Sequence, residues 1–472
     1  MNHTQYRRSR EVGQVAIEFT NKPITAWGGI ASVIAKFLEQ IEFRRWVETE
    51  VPIRELSNNG RGVYPKVLAQ LLTALVGGTR FAHLSWWGHG VEAIKGTFGL
   101  GWLPGAQSVL TRLWNKIGTQ RLSERLGEAA RSFAVGVTRR DGIEEDDVNF
   151  DSSVFTRYGM QEGAKRGYNP KKRGRRSHHP LMAFLGSGYV VNLWNRSGDA
   201  GTGHGAIDFF RQTLLALGEQ FRVRRVLCDS GFYEVEFIKY LERERFRYII
   251  AGPMMQILQW RIYRVTQWYR VDDGIDVAEF AFQHRDRKWD RPRRYVVVRQ
   301  RVARRPKASG KQLVLFQELE GVAEYRFSIM ITNDTELSAA EVWRTYRSRA
   351  NVENVLKDLI EGYGTAAFNM HNFWATESVM VMNALVFHNL VHYLNRRVLN
   401  PNGPLAQVKT VRSKYFIIPA QLGRSGRRPV VRLAVRDRRL RAQLDYFLLP
   451  AVRHGERISA LSWNLNCIAV KM

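Results

Sequence analysis

Cysteine is nearly missing from this chain: only Cys228 and Cys467 occur among 472 residues. That excludes a disulfide framework or a Cys-rich zinc site and suits a reducing compartment, so a cytoplasmic setting is expected. Acidic residues are also scarce, 44 against 72 Lys and Arg, leaving a net charge of +28. Solubility asks for a net charge of only roughly 2–8 on a small domain. A larger surplus repels itself unless a polyanion neutralises it, which makes nucleic acid the expected partner. Long apolar runs are missing too. The most apolar stretch, 379–394, is shorter than the ~20 residues a bilayer demands and carries Asn383, His388, Asn389 and His392. It is expected to be a buried helix, with no membrane partner. Residues 1–19 alternate polar and charged types without an apolar core, so no secretory signal is expected. No phosphate-loop glycine pattern, dinucleotide fingerprint or zinc spacing stands out, so no nucleotide cofactor is expected.

What is present begins as helix. Ile30, Ile34, Phe37, Leu38 and Ile41 recur at helical spacing, and 66–75 and 107–117 follow suit, with Trp86 and Trp87 between them. The acidic run Asp141-Gly142-Ile143-Glu144-Glu145-Asp146-Asp147 reads as a linker. Strand patterns follow at 148–154, 181–185 and 189–194, then a helix at 206–217, a strand at 223–228, a helix at 235–243 and a strand at 246–251. Three strands, helix, strand, helix, strand is the order of the ribonuclease-H fold, in which the first and fourth strands are neighbours. Residues 262–271, 277–282, 295–302, 312–316 and 325–332 read as further strands separated by turn signals. Ser338 and Glu341 form a capping-box pattern opening a helix expected to reach about 361, where Gly362 and Gly364 end it. His178 and His179 read as strand-entry residues, not ligands.

Three carboxylates fall on the right elements of that order. Asp151 lies in the first strand, on the face opposite Val148, Phe150 and Val154. Asp229 ends the fourth strand. Glu353 lies on the long helix, in the stripe 342, 346, 349, 353, 356, 360, whose spacing keeps one face. An unpaired carboxylate in a seam facing the core is costly. Either Arg349, one turn away, or a metal must compensate it. Taken singly, each acid has a plainer reading: strand-end polar residue, helix N-cap, or an i,i+4 pair with Arg349. Together they suit Mg²⁺ or Mn²⁺, which prefer hard oxygen ligands. Two such ions ~3.5–4 Å apart can serve an in-line phosphoryl displacement.

Four segments carry a resemblance: Phe150-Asp151-Ser152-Ser153-Val154; Tyr158-Gly159-Met160-Gln161-Glu162-Gly163 running to Gly167-Tyr168-Asn169-Pro170-Lys171-Lys172; Asp229-Ser230-Gly231-Phe232; and Tyr346-Arg347-Ser348-Arg349-Ala350-Asn351-Val352-Glu353. The sequence resembles the bacterial insertion-sequence transposases of the DDE superfamily, in the branch with a Tyr-x-x-Arg-x-x-x-Glu signature. The resemblance implies an α/β protein with a ribonuclease-H-like (retroviral-integrase-like) catalytic core, an all-β insertion and a helical N-terminal region. Its divisions would be 1–140 (helical, DNA-binding), 145–255 and 336–400 (the core), 256–335 (the insertion) and 401–472 (a basic C-terminal region). It implies cutting of the element's ends and their joining to target DNA by two Mg²⁺ or Mn²⁺ ions on Asp151, Asp229 and Glu353. The partners implied are terminal inverted repeats and target DNA, with a homodimer holding two ends. Tyr346 and Arg349 would contact phosphates near the cleaved end. The signature's usual Lys, seven residues past the Glu, is Ile360 here, and Lys357 stands one turn earlier. A nuclease of the same fold that cuts without joining, and a DNA-binding remnant without activity, share these acids.

Residues 165–176 concentrate cations: Lys165, Arg166, Lys171, Lys172, Arg173, Arg175 and Arg176, with Tyr168 interleaved. They are expected to contact DNA, the alternative being a solvated hairpin tip. Of the insertion's Trp268 and Trp289, the second lies among arginines. By the resemblance it is the candidate to stack a flipped base; otherwise it is a core residue.

Overall fold

The structure, a computed structural model, describes residues 10–448 except 13–14, 18–20, 56–59, 171, 285–288, 302–324 and 402. It divides into two compact units, one drawn from 1–43, 85–103 and 412–472, the other from 44–84 and 104–411.

The larger unit is mixed α/β and is organised by one nine-stranded sheet. Its strands in chain order are β1 (Glu145–Ser152), β2 (Leu181–Leu185), β3 (Val190–Trp194), β4 (Arg222–Cys228), β5 (Tyr248–Ala251), β6 (Tyr269–Asp272), β7 (Ile275–Phe282), β8 (Arg293–Arg301) and β9 (Tyr325–Thr332). Across the sheet they run β6-β7-β8-β9-β5-β4-β1-β2-β3. The expected antiparallel meander β1-β2-β3 is present, and β4 lies parallel to β1 on its other side. Helix α2 (Ala206–Leu217) leads from β3 to β4, and α3 (Val235–Arg243) from β4 to the parallel β5. β2 reads Leu-Met-Ala-Phe-Leu and is buried throughout, as a strand covered on both faces must be. Phe150 is the hub of the covering layer, with ring centroids of Phe209, Phe210, Phe232 and Phe237 at 5.2, 5.7, 5.9 and 6.2 Å.

Several expectations are corrected. The acidic run at 141–147 is no linker. Asp141 is buried at the end of helix α1 (Gln120–Arg140), where it pairs with Arg396 at 2.6 Å and Arg397 at 2.7 Å. Asp146 and Asp147, inside β1, face Arg224 on β4 at 3.0 and 3.5 Å. These acids are structural counter-ions because the elements around them are so basic. Residues 262–271 are not one strand. Helix α4 (Gln256–Tyr263) buries Leu258 and Ile262, an i,i+4 pair, and only 269–272 is extended. The segment taken as an all-β insertion therefore contains a helix, and β6–β9 prolong the core sheet instead of forming one of their own. The strand expected at 312–316 lies outside the described residues.

Ser338 and Glu341 do form the capping box, but the helix they open is interrupted. α5 (Ala339–Arg347) ends at Ser348, and α6 (Ala350–Lys357) restarts after a tight turn in which Asn351 N and Val352 N bond the carbonyls of Ser348 and Arg349. The restart turns Val352, Val355 and Leu359 inward and leaves Glu353 exposed, so the single stripe from 342 to 360 does not hold. The apolar stretch 379–394 is a buried helical segment, as expected. Its polar residues stitch it to the β2–β3 hairpin: Asn389 brackets Val190 N and O at 2.9 and 2.7 Å, and His388 and His392 bond the carbonyls of Gly188 and Ser187. Among the described residues no helix is long and apolar enough to cross a membrane.

In the smaller unit, a helical run over 30–40 packs with α7 (Arg438–Leu448), and the unit also holds strands β10 (Ala420–Ser425) and β11 (Arg428–Leu433). β10 and β11 form a hairpin, and β10 also pairs with the short strand Ile24–Thr25. Gly28 permits this closeness: a Cβ there would stand 2.6 Å from Ile418 O and 2.7 Å from Ala420 Cβ.

Candidate active site

Two of the three acids meet at the ends of adjacent strands. β1 and β4 pair with Phe150 opposite Cys228, so Asp151 and Asp229 follow at the next position of each. Asp151 is 8% exposed; its Oδ1 accepts from Ser152 N at 2.7 Å. Asp229 is half-buried and caps the short turn Ser230–Phe232, with its Oδ1 accepting from Gly231 N at 3.0 Å. Gly231 is required at that position, because a Cβ would come within 2.4 Å of the Thr202 side chain.

The corner between α5 and α6 clamps both strand ends. Arg349, 7% exposed, pairs with Asp151 Oδ2 at 2.9 Å and donates to Phe150 O at 3.0 Å. Tyr346 donates from its hydroxyl to Cys228 O at 3.2 Å. Each therefore holds the peptide immediately before one acid. This corrects the expectation that Arg349 lies open to DNA phosphates: in this structure its guanidinium is buried and its charge belongs to Asp151. The same contact explains why Arg349 does not pair with Glu353. Burial pushes Tyr346 up to about 12. Burial also pushes Asp151 up to about 6; Arg349 opposes the rise, while the negative charges of Asp229 and, more weakly, Glu353 add to it.

That mutual repulsion is the test of fit for a divalent ion. The negative charges of Asp229 and Glu353 raise the proton affinity of Asp151, a repulsion that a cation held by these hard oxygen donors would relieve. Yet among the described residues no three His, Cys, Asp or Glu side chains converge closely enough to hold a metal. Asp151 and Asp229 are brought together at adjacent strand ends, and Glu353 is near enough for its charge to act on Asp151. Glu353 lies exposed on α6, and Arg349 pairs with Asp151.

A supporting layer escaped the sequence reading. His179 bonds Ser152 Oγ at 3.1 Å and Ala200 O at 2.8 Å, one residue from Asp151. Arg196 is buried and donates to the carbonyls of His179, Gly201, Thr202 and His204 at 3.0, 3.1, 3.0 and 2.8 Å. It thereby folds the Gly-rich segment 197–205 against Gly231. The glycines were the only sequence signal for this layer. His178 is also structural: its Nδ1 accepts from Arg157, and burial drops it to about 4.

The basic segment is not a bare hairpin tip. Arg176–His178 pairs with Lys165–Arg166 on one side and with Phe155–Thr156 on the other in a small three-stranded sheet. Lys165, Arg166, Lys172, Arg173, Arg175 and Arg176 are exposed, and Lys171 lies outside the described residues. Lys172 lies over the Tyr158 ring at 4.8 Å. Lys357, the last residue of α6, is exposed, and Ile360 is half-buried in the turn that follows. Trp289 is 3% exposed, held between Arg293 at 4.5 Å and Tyr233 at 5.5 Å. Its ring cannot stack on a base from there, so the core reading prevails. Arg293 fixes it by pairing with Glu242 at 2.8 Å. Among the described residues of 256–335, the exposed aromatics are Trp260, Tyr263 and Tyr269.

Comparison with known proteins adds a family. The family described as Transposase DDE domain group 1 matches residues 105–438. A solved piggyBac transposase, in a synaptic complex with hairpin DNA, is similar at 10% identity and a TM-score of 0.39, over 92% of this chain and 87% of that one. No curated protein matches.

Proposed function

We propose that this chain, which belongs to the transposase DDE domain group 1 family, is an insertion-sequence transposase of bacterial type that cuts the ends of its element and joins them to target DNA. The observation that carries the reading is the pairing of Phe150 with Cys228, which sets Asp151 and Asp229 side by side at the ends of parallel strands. The order β3-β2-β1-β4-β5, with α2 and α3 as connections, supports a ribonuclease-H-like core.

In this reading Asp151, Asp229 and Glu353 would hold two divalent ions, Mg²⁺ or Mn²⁺. When bound, such ions help activate an attacking oxygen and stabilise a leaving one in phosphoryl transfer. The protein's own contribution is positioning. Tyr346 and Arg349 fix the two strand ends through Cys228 O and Phe150 O. Gly231 and Thr202 set the turn that Asp229 caps. The exposed cations of 165–176, with Lys357, contact phosphates of the bound DNA and hold it in register without reading its sequence. Terminal inverted repeats, target DNA and a homodimer bridging two ends are the partners proposed.

The test is strand transfer from a pre-cut element end into plasmid DNA in the presence of Mg²⁺ or Mn²⁺. Joined product that disappears in Asp229→Ala supports the transposase. Cleavage of uncut ends without any joining would replace it with a nuclease.

A further inference from the structure

The smaller unit carries a charge pattern that the catalytic reading leaves unused. Residues 412–441 contain ten cations, nine of them Arg, against one acid, Asp437. Arg424, Arg427, Arg428, Arg432, Arg438 and Arg439 are all exposed. Among the described residues, Arg424, Arg427, Arg428, Arg438 and Arg439 have no carboxylate partner, and Arg432 reaches only the carbonyl of Arg424. Arginines on β11, an edge strand, serve partly to discourage strand pairing with other chains. That purpose does not account for Arg427 in the turn or for Arg438 and Arg439 on the helix. Nor does solubility, which is served by mixed charges and not by one sign at high density.

Geometry gives the cluster a shape. β10 and β11 form a six-pair ribbon closed by Gly426 and Arg427, with Gly426 at φ +60°, where glycine is favoured. Such a ribbon is ~20 Å long, and a two-stranded ribbon fits a DNA major groove ≈12 Å wide. Its tip presents Arg424, Arg427 and Arg428. Arg432 lies flat across Gly423, where a Cβ would stand 2.2 Å from its Nη1. Arginine, with its planar fork, suits phosphate oxygens better than lysine does.

We propose that the β10–β11 ribbon and the start of α7 form a second DNA-binding surface, on the smaller unit, that grips the backbone of duplex DNA. The inference rests on the reading of this protein as an enzyme that acts on DNA. The experiment measures binding of the full chain to a short labelled duplex by fluorescence anisotropy across a salt series. Wild type is compared with R424Q/R427Q/R428Q and with R424K/R427K/R428K, after thermal unfolding without DNA has verified that each is folded. The Gln variant is expected to bind ~10-fold or more weaker, with the slope of log K against log salt reduced by about 2–3, near 0.9 for each phosphate no longer neutralised. The Lys variant should retain most of the slope. A Gln variant with wild-type affinity and slope, beside a wild type that binds and cuts DNA, overturns this inference alone. Wild type that fails to bind duplex overturns the underlying reading as well. Stronger competition by RNA or an acidic peptide than by duplex DNA overturns the choice of partner.

Discussion

Removing the Arg349 guanidinium tests the link between the α5–α6 corner and the strand ends. Arg349 and Asp151 are both nearly buried and pair at 2.9 Å. Deleting one member of a buried pair typically costs about 3–5 kcal/mol, because the other charge is stranded. Asp151 has an escape, since burial already lifts its carboxyl to about 6. Without Arg349 it takes up a proton at neutral pH, which holds the loss for Arg349→Leu near the low end, about 3 kcal/mol. Asp151→Asn strands the guanidinium, which has no such escape. Arg349→Leu/Asp151→Asn strands nothing and should cost only about 1–2 kcal/mol. Urea unfolding of the four proteins at neutral pH gives the coupling, expected at about 4 kcal/mol. Single effects that simply add would refute the argument, since the pair would then be incidental to the site.

Four further outcomes are expected. Burial pushes Glu377 up to about 7, so its contribution to stability is full below the ordinary carboxylate range and lost as pH rises through about 7. Glu377→Gln should therefore gain on wild type by up to about 3 kcal/mol between acidic and mildly alkaline pH, read from denaturation midpoints, and a constant difference would contradict this. Gly231→Ala should impair DNA cleavage by displacing the turn that Asp229 caps, and Thr202→Gly in the same chain should restore part of it; an active single variant would show that the turn tolerates a side chain. Trp289→Ala should lower stability by about 3–5 kcal/mol as a core truncation, and a wild-type melting temperature would contradict its burial. Lys172→Gln/Arg173→Gln should flatten the salt dependence of DNA binding by about 2 in log–log slope, and an unchanged slope would mean a merely solvated face.

The core was legible where local pattern and burial agree. Val148 to Phe150 and Val235 to Arg243 have periods that suit one element, Leu181 to Leu185 is a short apolar run bounded by turn residues, and the neighbouring of β1 and β4 followed from element order. Ser338 and Glu341 announced a helix start because capping is a local transaction. The failures share a cause: they depended on tertiary partners. Nothing in 338–361 marks the turn at Ser348 and Arg349, where the Arg349 side chain meets Asp151 and Phe150 O. The acids of 141–147 looked solvated because their arginines lie 78 and 255 residues away in sequence. Arg196 and His179 act through backbone carbonyls, contacts that no residue spacing encodes. Trp289 looked like a surface aromatic among cations, but one of those cations, Arg293, covers it.

Asp151, Asp229 and Glu353 are proposed to act together on DNA through divalent ions. The most direct test is cleavage of the element's own terminal DNA, taken from the sequence flanking the gene, with Mg²⁺ or Mn²⁺, by wild type and by Asp151→Ala, Asp229→Ala and Glu353→Ala. The account predicts divalent-dependent cleavage by wild type that each substitution abolishes while DNA binding persists. Full cleavage by Glu353→Ala would contradict it, and so would a wild type that binds these ends tightly and cuts them with neither ion.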